Sequence, residues 1–85
     1  HGVGVELHEP PEIPNYPSSR ARQVLKPGMV IAIEPMVNIG GRLVKTDKDG
    51  WTVRTQDGSW SAHFEHMVLI TENEPEILTW HKKNA

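Results

Sequence analysis

Apolar and polar positions along the chain alternate in short runs, and none has the spacing of a helix. The clearest run spans residues 29–36, where Met29-Val30-Ile31-Ala32-Ile33 is unbroken and rich in β-branched side chains, which predicts a strand. Side chains alternate along a strand, so Val30, Ala32 and Glu34 share one face and Ile31 and Ile33 the other. Residues 37–44 continue extended, interrupted by Gly40-Gly41, and residues 46–50 read as a polar turn. A strand is predicted over 51–55, a tight turn at Gln56-Asp57-Gly58, and a long strand over 59–71. Asp-Gly between two strand-like runs predicts that these two strands form a hairpin. On the long strand, His63, Glu65, Met67 and Leu69 share a face, opposite Phe64, His66, Val68 and Ile70. A turn at 73–75 leads to a last short strand over 76–80, and 81–85 read as a tail.

The first third of the chain has a different texture. Gly2 and Gly4 mark places where the backbone bends or lies against a neighbour. Pro10, Pro11, Pro14 and Pro17 then forbid helix and favour an extended path. Residues 18–25 have no apolar stripe and read as loop, and Lys26-Pro27-Gly28 as a turn. The pattern as a whole predicts antiparallel β structure with almost no helix. Such a sheet has one face that needs cover, and no predicted helix supplies it.

Composition sharpens this picture. Eighty-five residues suffice for one small domain. A chain this short buries only a little over ~60% of the surface it exposes when unfolded. Its apolar fraction of 36% is low for a self-sufficient core. There is no cysteine to staple the fold, which leans towards a reducing, cytoplasmic setting. A formal charge of −2 with no basic run gives no sign of nucleic-acid binding. The longest apolar run is far too short to span a bilayer, and no signal peptide is visible. The first residue is His1 rather than Met, so the chain is expected to be a fragment whose missing half completes the fold.

Two residues stand out chemically. Glu34 and Glu65 each sit in a strongly apolar run, where a carboxylate is costly unless paired, hydrogen-bonded or bound to metal. Two such strands side by side would bring like charges together, and a divalent cation answers that repulsion. The plainer alternative is an edge position or a Lys or Arg partner for each. Of the five histidines, His1, His8, His63 and His66 flank these carboxylates. Mixed His and Glu ligation suits zinc, iron, cobalt or manganese.

The order of the motifs is more specific. His1-Gly2-Val3-Gly4 followed by His8-Glu9-Pro10-Pro11 resembles the His-Gly-x-Gly…His-Glu-x-Pro segment of the type I methionine aminopeptidases of metallopeptidase family M24. Pro27-Gly28-Met29 with Ile33-Glu34-Pro35-Met36 resembles that family's Pro-Gly-Met…Ile-Glu-Pro-Met strand. Trp51-Thr52-Val53, then Ser61-Ala62-x-Phe64-Glu65-His66, resembles its last hairpin, and Glu76-Ile77-Leu78-Thr79 its closing strand.

The resemblance implies the α+β pita-bread fold, with residues 1–80 as its mainly antiparallel-β carboxy-terminal part. It implies a centre of two adjacent divalent metal ions. His1 would be the histidine ligand, Glu34 a glutamate ligand and Glu65 the carboxylate bridging both ions, while two aspartate ligands and a second catalytic histidine belong to a preceding segment. It implies removal of the initiator methionine from nascent polypeptides by a metal-activated water. Glu34 would move the proton from that water to the leaving amine, and His8 would hydrogen-bond the scissile amide. Trp51 would stand at the pocket for the methionine side chain, with Leu7 on its wall. Trp51 is equally readable as a packing aromatic.

Four positions depart from the family pattern: Leu7 where Phe is common, Ala32 for Thr, His63 for Gln and Met67 for Thr. None removes a ligand, but they alter the pocket wall and the hydrogen bonding behind the ligands, where His63 could support Glu65. Other readings are a proline-directed peptidase on the same fold, a non-catalytic pita-bread binding module, and a purely structural β-module. The intact set His1, Glu34 and Glu65 argues against the binding module, and the ordered motifs against the β-module. With the aspartates absent, the chain alone is expected to be inactive and to bind metal weakly.

Overall fold

The computed structural model describes residues 1–80, so the tail predicted for 81–85 lies outside the described residues. All regular structure among them is strand: β1 (Val30–Ile33), β2 (Met36–Asn38), β3 (Val44–Thr46), β4 (Val53–Thr55), β5 (Ser61–His63), β6 (His66–Leu69) and β7 (Glu76–Ile77). No helix among them is long and apolar enough to cross a membrane. The chain forms two compact units, one of His1–Glu34 with the chain from Glu65 onward, the other Pro35–Phe64.

In the first unit, β1, β6 and β7 form an antiparallel sheet in that order. Ile31 pairs with Val68 and Ala32 with Met67, and Val68 pairs in turn with Ile77. Ile31, Ala32 and Val68 are the buried apolar residues, at the centre of this ladder. Residues 1–3 run antiparallel along the other edge of β1. Val3 N–H donates to Val30 C=O at 3.1 Å and Ala32 N–H to His1 C=O at 2.7 Å, with Gly2 facing Ile31. The chain then loops back so that Glu9 N–H donates to Gly2 C=O at 3.0 Å and Gly2 N–H to Pro11 C=O at 3.0 Å. Gly2 is thus pressed between β1 and the proline-rich segment. A Cβ there would run into the carbonyl oxygens of Pro10 and Glu9, so only glycine fits.

In the second unit, β2 pairs with β5 and β3 with β4, both antiparallel. The β3–β4 hairpin is closed by Asp47 N–H donating to Thr52 C=O at 2.8 Å. Asp49 Oδ1 accepts the N–H groups of Trp51 and Thr52 at 2.9 and 2.8 Å, which draws these two residues into the turn and starts β4 only at Val53.

Three expectations are corrected by this topology. The run predicted as one strand over 29–36 is two, β1 and β2, in different sheets. The break falls at Glu34-Pro35, where proline has no N–H to give a ladder. The predicted long strand over 59–71 likewise divides into β5 and β6 at Phe64-Glu65. The predicted hairpin across Gln56-Asp57-Gly58 has a turn, with Gly58 at φ 76° and its N–H on Thr55 C=O at 3.4 Å, but no ladder. Asp57 Oδ2 instead accepts Gly41 N–H at 2.7 Å, and the buried Thr55 donates its hydroxyl to Ser59 C=O at 2.6 Å. The turn therefore folds onto the glycine pair, and β4 and β5 pair with β3 and β2. The loop predicted for 18–25 is loop, and the last strand is shorter than predicted, ending at Ile77.

Large apolar side chains are left exposed, among them Trp51 at 87%, Trp60 at 81% and Met36 at 73%. The strands by themselves leave apolar surface uncovered, as the missing helices of the sequence pattern led one to expect.

Candidate metal centre

The register of the first unit builds the site. Ala32 stands opposite Met67, and continuing that register one alternation outward sets Glu34 opposite Glu65, just beyond the last ladder pair Ile33–His66. His1 stands level with Ala32 on the other side of β1, since Gly2 faces Ile31. Alternation then puts His1, Glu34 and Glu65 on one face at one end of the sheet. Their ligand atoms all lie within 4.8 Å of one another.

His1 is held at both ring nitrogens. Nδ1 lies 2.7 Å from the Gly2 carbonyl oxygen and Nε2 2.7 Å from Glu34 Oε2. A backbone carbonyl can only accept, so Nδ1 carries a hydrogen and donates it to Gly2. The Gly2 carbonyl is the chief cause raising the His1 pKa. Partial desolvation opposes it, and Glu34 and then Glu65 add to it. The Nδ1–H bond to a backbone carbonyl also fixes which nitrogen is available, leaving Nε2 to face the carboxylates.

These residues fit a divalent ion. One imidazole nitrogen and two carboxylates converge, with Nε2 turned to Glu34. The His1 and Glu34 side chains are 18% and 31% exposed, so the centre is half-sheltered and reachable.

The His8 ring lies beside His1, with ring centroids 4.4 Å apart and planes at 48°. Both line an open cleft of about 700 Å³, together with Ala32 and Glu34 and with Glu9, Glu12 and Ile13 of the proline-rich segment. Sequence reasoning missed Glu12 and Ile13. Their only signal was their place directly after the His8-Glu9 motif. Leu7 is 74% exposed and is not among the described residues lining the cleft. Trp51 belongs to the Pro35–Phe64 unit, at the β3–β4 turn. His63 also lies in that unit, on β5 opposite Met36, so it does not share a continuous strand with Glu65. His66 turns Nδ1 to the Thr79 hydroxyl at 2.6 Å.

Comparison with known proteins agrees with the motifs and the geometry. Metallopeptidase family M24 matches residues 1–72. Methionine aminopeptidase 1 of Bacillus subtilis is 60% identical over 79 residues, covering 93% of this chain and 32% of the relative. The Escherichia coli methionine aminopeptidase is 51% identical over 85 residues, covering all of this chain and 32% of the relative. The crystal structure of the Thermotoga maritima methionine aminopeptidase superposes with a TM-score of 0.86 at 58% identity, over 95% of this chain and 32% of that one. That from Rickettsia prowazekii gives 0.85 at 43% identity, over 94% and 33%. The chain therefore spans about a third of the length of the relatives it matches, and its strands are the antiparallel part of their pita-bread fold. By sequence and by structure, the chain belongs to metallopeptidase family M24.

Proposed function

We propose that these residues form the carboxy-terminal part of a metal-dependent aminopeptidase that removes an amino-terminal methionine from peptides and nascent polypeptides. The observation that carries this reading is the convergence of His1, Glu34 and Glu65 within 4.8 Å in a chain of family M24. The relatives named above, all methionine aminopeptidases, support the choice of substrate.

His1, Glu34 and Glu65 would be this segment's ligands to a centre of two divalent ions (cobalt, manganese, iron or zinc). Such ions lower the pKa of water and polarise a carbonyl. The two aspartates that complete the set would come from the remainder of the longer chain, and that remainder is the partner this segment needs. The Gly2 carbonyl keeps His1 in the tautomer that offers Nε2. Glu34 takes the proton of the attacking water and delivers it to the leaving amine. His8, beside His1 in the cleft, donates to the substrate amide as charge develops. The enzyme works in the cytoplasm.

The test joins these residues to the preceding two thirds of the Bacillus subtilis relative and assays a Met-Ala-Ser peptide with cobalt. Release of free methionine is expected. A chimera that folds and binds cobalt yet releases none would overturn the reading.

A further inference from the structure

One side chain outside the ligand set bonds to both residues that follow Glu65: Thr79, through its hydroxyl. Glu65 is the first residue before β6, just beyond its ladder with β1. On the other side, the pairing of β6 with β7 ends at Val68–Ile77. Beyond that pair, Leu78 N–H still donates to Met67 C=O at 2.9 Å. A regular ladder would next use a backbone carbonyl to accept Met67 N–H. Here Met67 N–H goes to the Thr79 hydroxyl at 3.3 Å, and the same oxygen lies 2.6 Å from His66 Nδ1.

A hydroxyl has two lone pairs and one hydrogen, so Thr79 Oγ1 can accept from Met67 and donate to His66 at once. It ties together the two residues that directly follow Glu65, at the point where backbone pairing on that side runs out. Thr79 is half-buried, which shields this bond from competition with water.

We infer that Thr79 is a positioning residue for the metal centre: its hydroxyl anchors His66 and Met67, and through them holds the Glu65 carboxylate against Glu34 and His1. This rests on the reading of His1, Glu34 and Glu65 as metal ligands. Thr79 touches none of the three and acts only through the β6 backbone and the His66 ring. Groups that hydrogen-bond a metal ligand change metal affinity by about 10–100-fold, and Thr79, one step further out, is expected at the low end.

The experiment uses the full-length enzyme carrying these residues, with cobalt as the probe, and compares Thr79→Val with Thr79→Ser. Cobalt affinity is read by titration, ligand geometry by the visible absorption of the bound cobalt, and folding by circular dichroism. Thr79→Val, which keeps the shape and loses the hydroxyl, is expected to bind cobalt roughly 10-fold more weakly with an altered spectrum. Thr79→Ser, which keeps the hydroxyl, is expected to match the parent in both. A folded Thr79→Val with parental affinity and spectrum would overturn the inference. So would a Thr79→Ser variant as impaired as the valine one, because the methyl group and not the hydroxyl would then matter. If the parent itself takes up no cobalt, the metal reading falls, and the inference with it.

Discussion

His1 Nε2 and Glu34 Oε2 lie 2.7 Å apart although thirty-three positions separate them in the chain. The contact exists because residues 1–3 lie along one edge of β1 and Glu34 follows directly after that strand. It puts a histidine nitrogen on the carboxylate assigned to proton transfer.

Glu34→Gln keeps the shape and removes the charge. In the full-length enzyme it is expected to lower turnover of a Met-initiated peptide by roughly 10²–10⁴-fold, the usual contribution of a positioned acid–base group. Steady-state kinetics on metal-saturated protein measure this. Near-parental turnover would remove Glu34 from the proton path.

The isolated chain of residues 1–85 supplies one histidine and two glutamates to a single cluster. Calorimetric titration with cobalt or manganese should show at most one weakly bound ion per chain. Two tightly bound ions would mean that the chain needs no ligands from elsewhere.

Gly2→Ala places a methyl group against the Pro10 and Glu9 carbonyl oxygens. Backbone cannot yield as a flexible side chain can, so a loss of about 1–3 kcal/mol in stability is expected. Because His1 is adjacent and uses the Gly2 carbonyl, cobalt affinity should fall as well. Denaturant unfolding and cobalt titration report the two effects separately, and an unchanged midpoint would contradict the packing argument.

Asp57 is held at a pKa of about 2, below its ordinary 3.8, first by the Ser59 hydroxyl and then by the N–H groups of Gly41 and Ser59. A folded-state pKa below the unfolded one means that the stabilisation is fully present above pH 3.8 and is lost as pH falls towards 2. The carboxyl carbon resonance of Asp57 should therefore titrate with a midpoint near 2, and Ser59→Ala should raise that midpoint. A midpoint near 3.8 in the parent would show that the bonds to Ser59 and Gly41 do not form in solution.

Much of the candidate centre was legible in the sequence because its signals are local. Glu34 and Glu65 announce themselves as carboxylates in apolar runs, and His1 as the first member of an ordered motif. The strand breaks were less legible. Pro35 marks one of them, but the alternation of β1 runs up to Glu34 without a change of period. Phe64-Glu65 has no local break signal at all. The partner of β4 was misread because it depends on the bond between Asp57 and Gly41, sixteen positions apart, which the Asp-Gly turn alone does not reveal. Glu12 and Ile13 reach the cleft wall only because the proline-rich loop folds back on Gly2, a contact set by backbone carbonyls rather than by side-chain pattern.

The chain leaves the first unit after Glu34 and re-enters it at Glu65, and the register of β1 and β6 sets these two residues opposite each other. Everything in Pro35–Phe64 is thus a cassette spliced between two adjacent posts. The span between the two carboxylates is therefore set by the pairing of β1 with β6, not by the course of the residues between them.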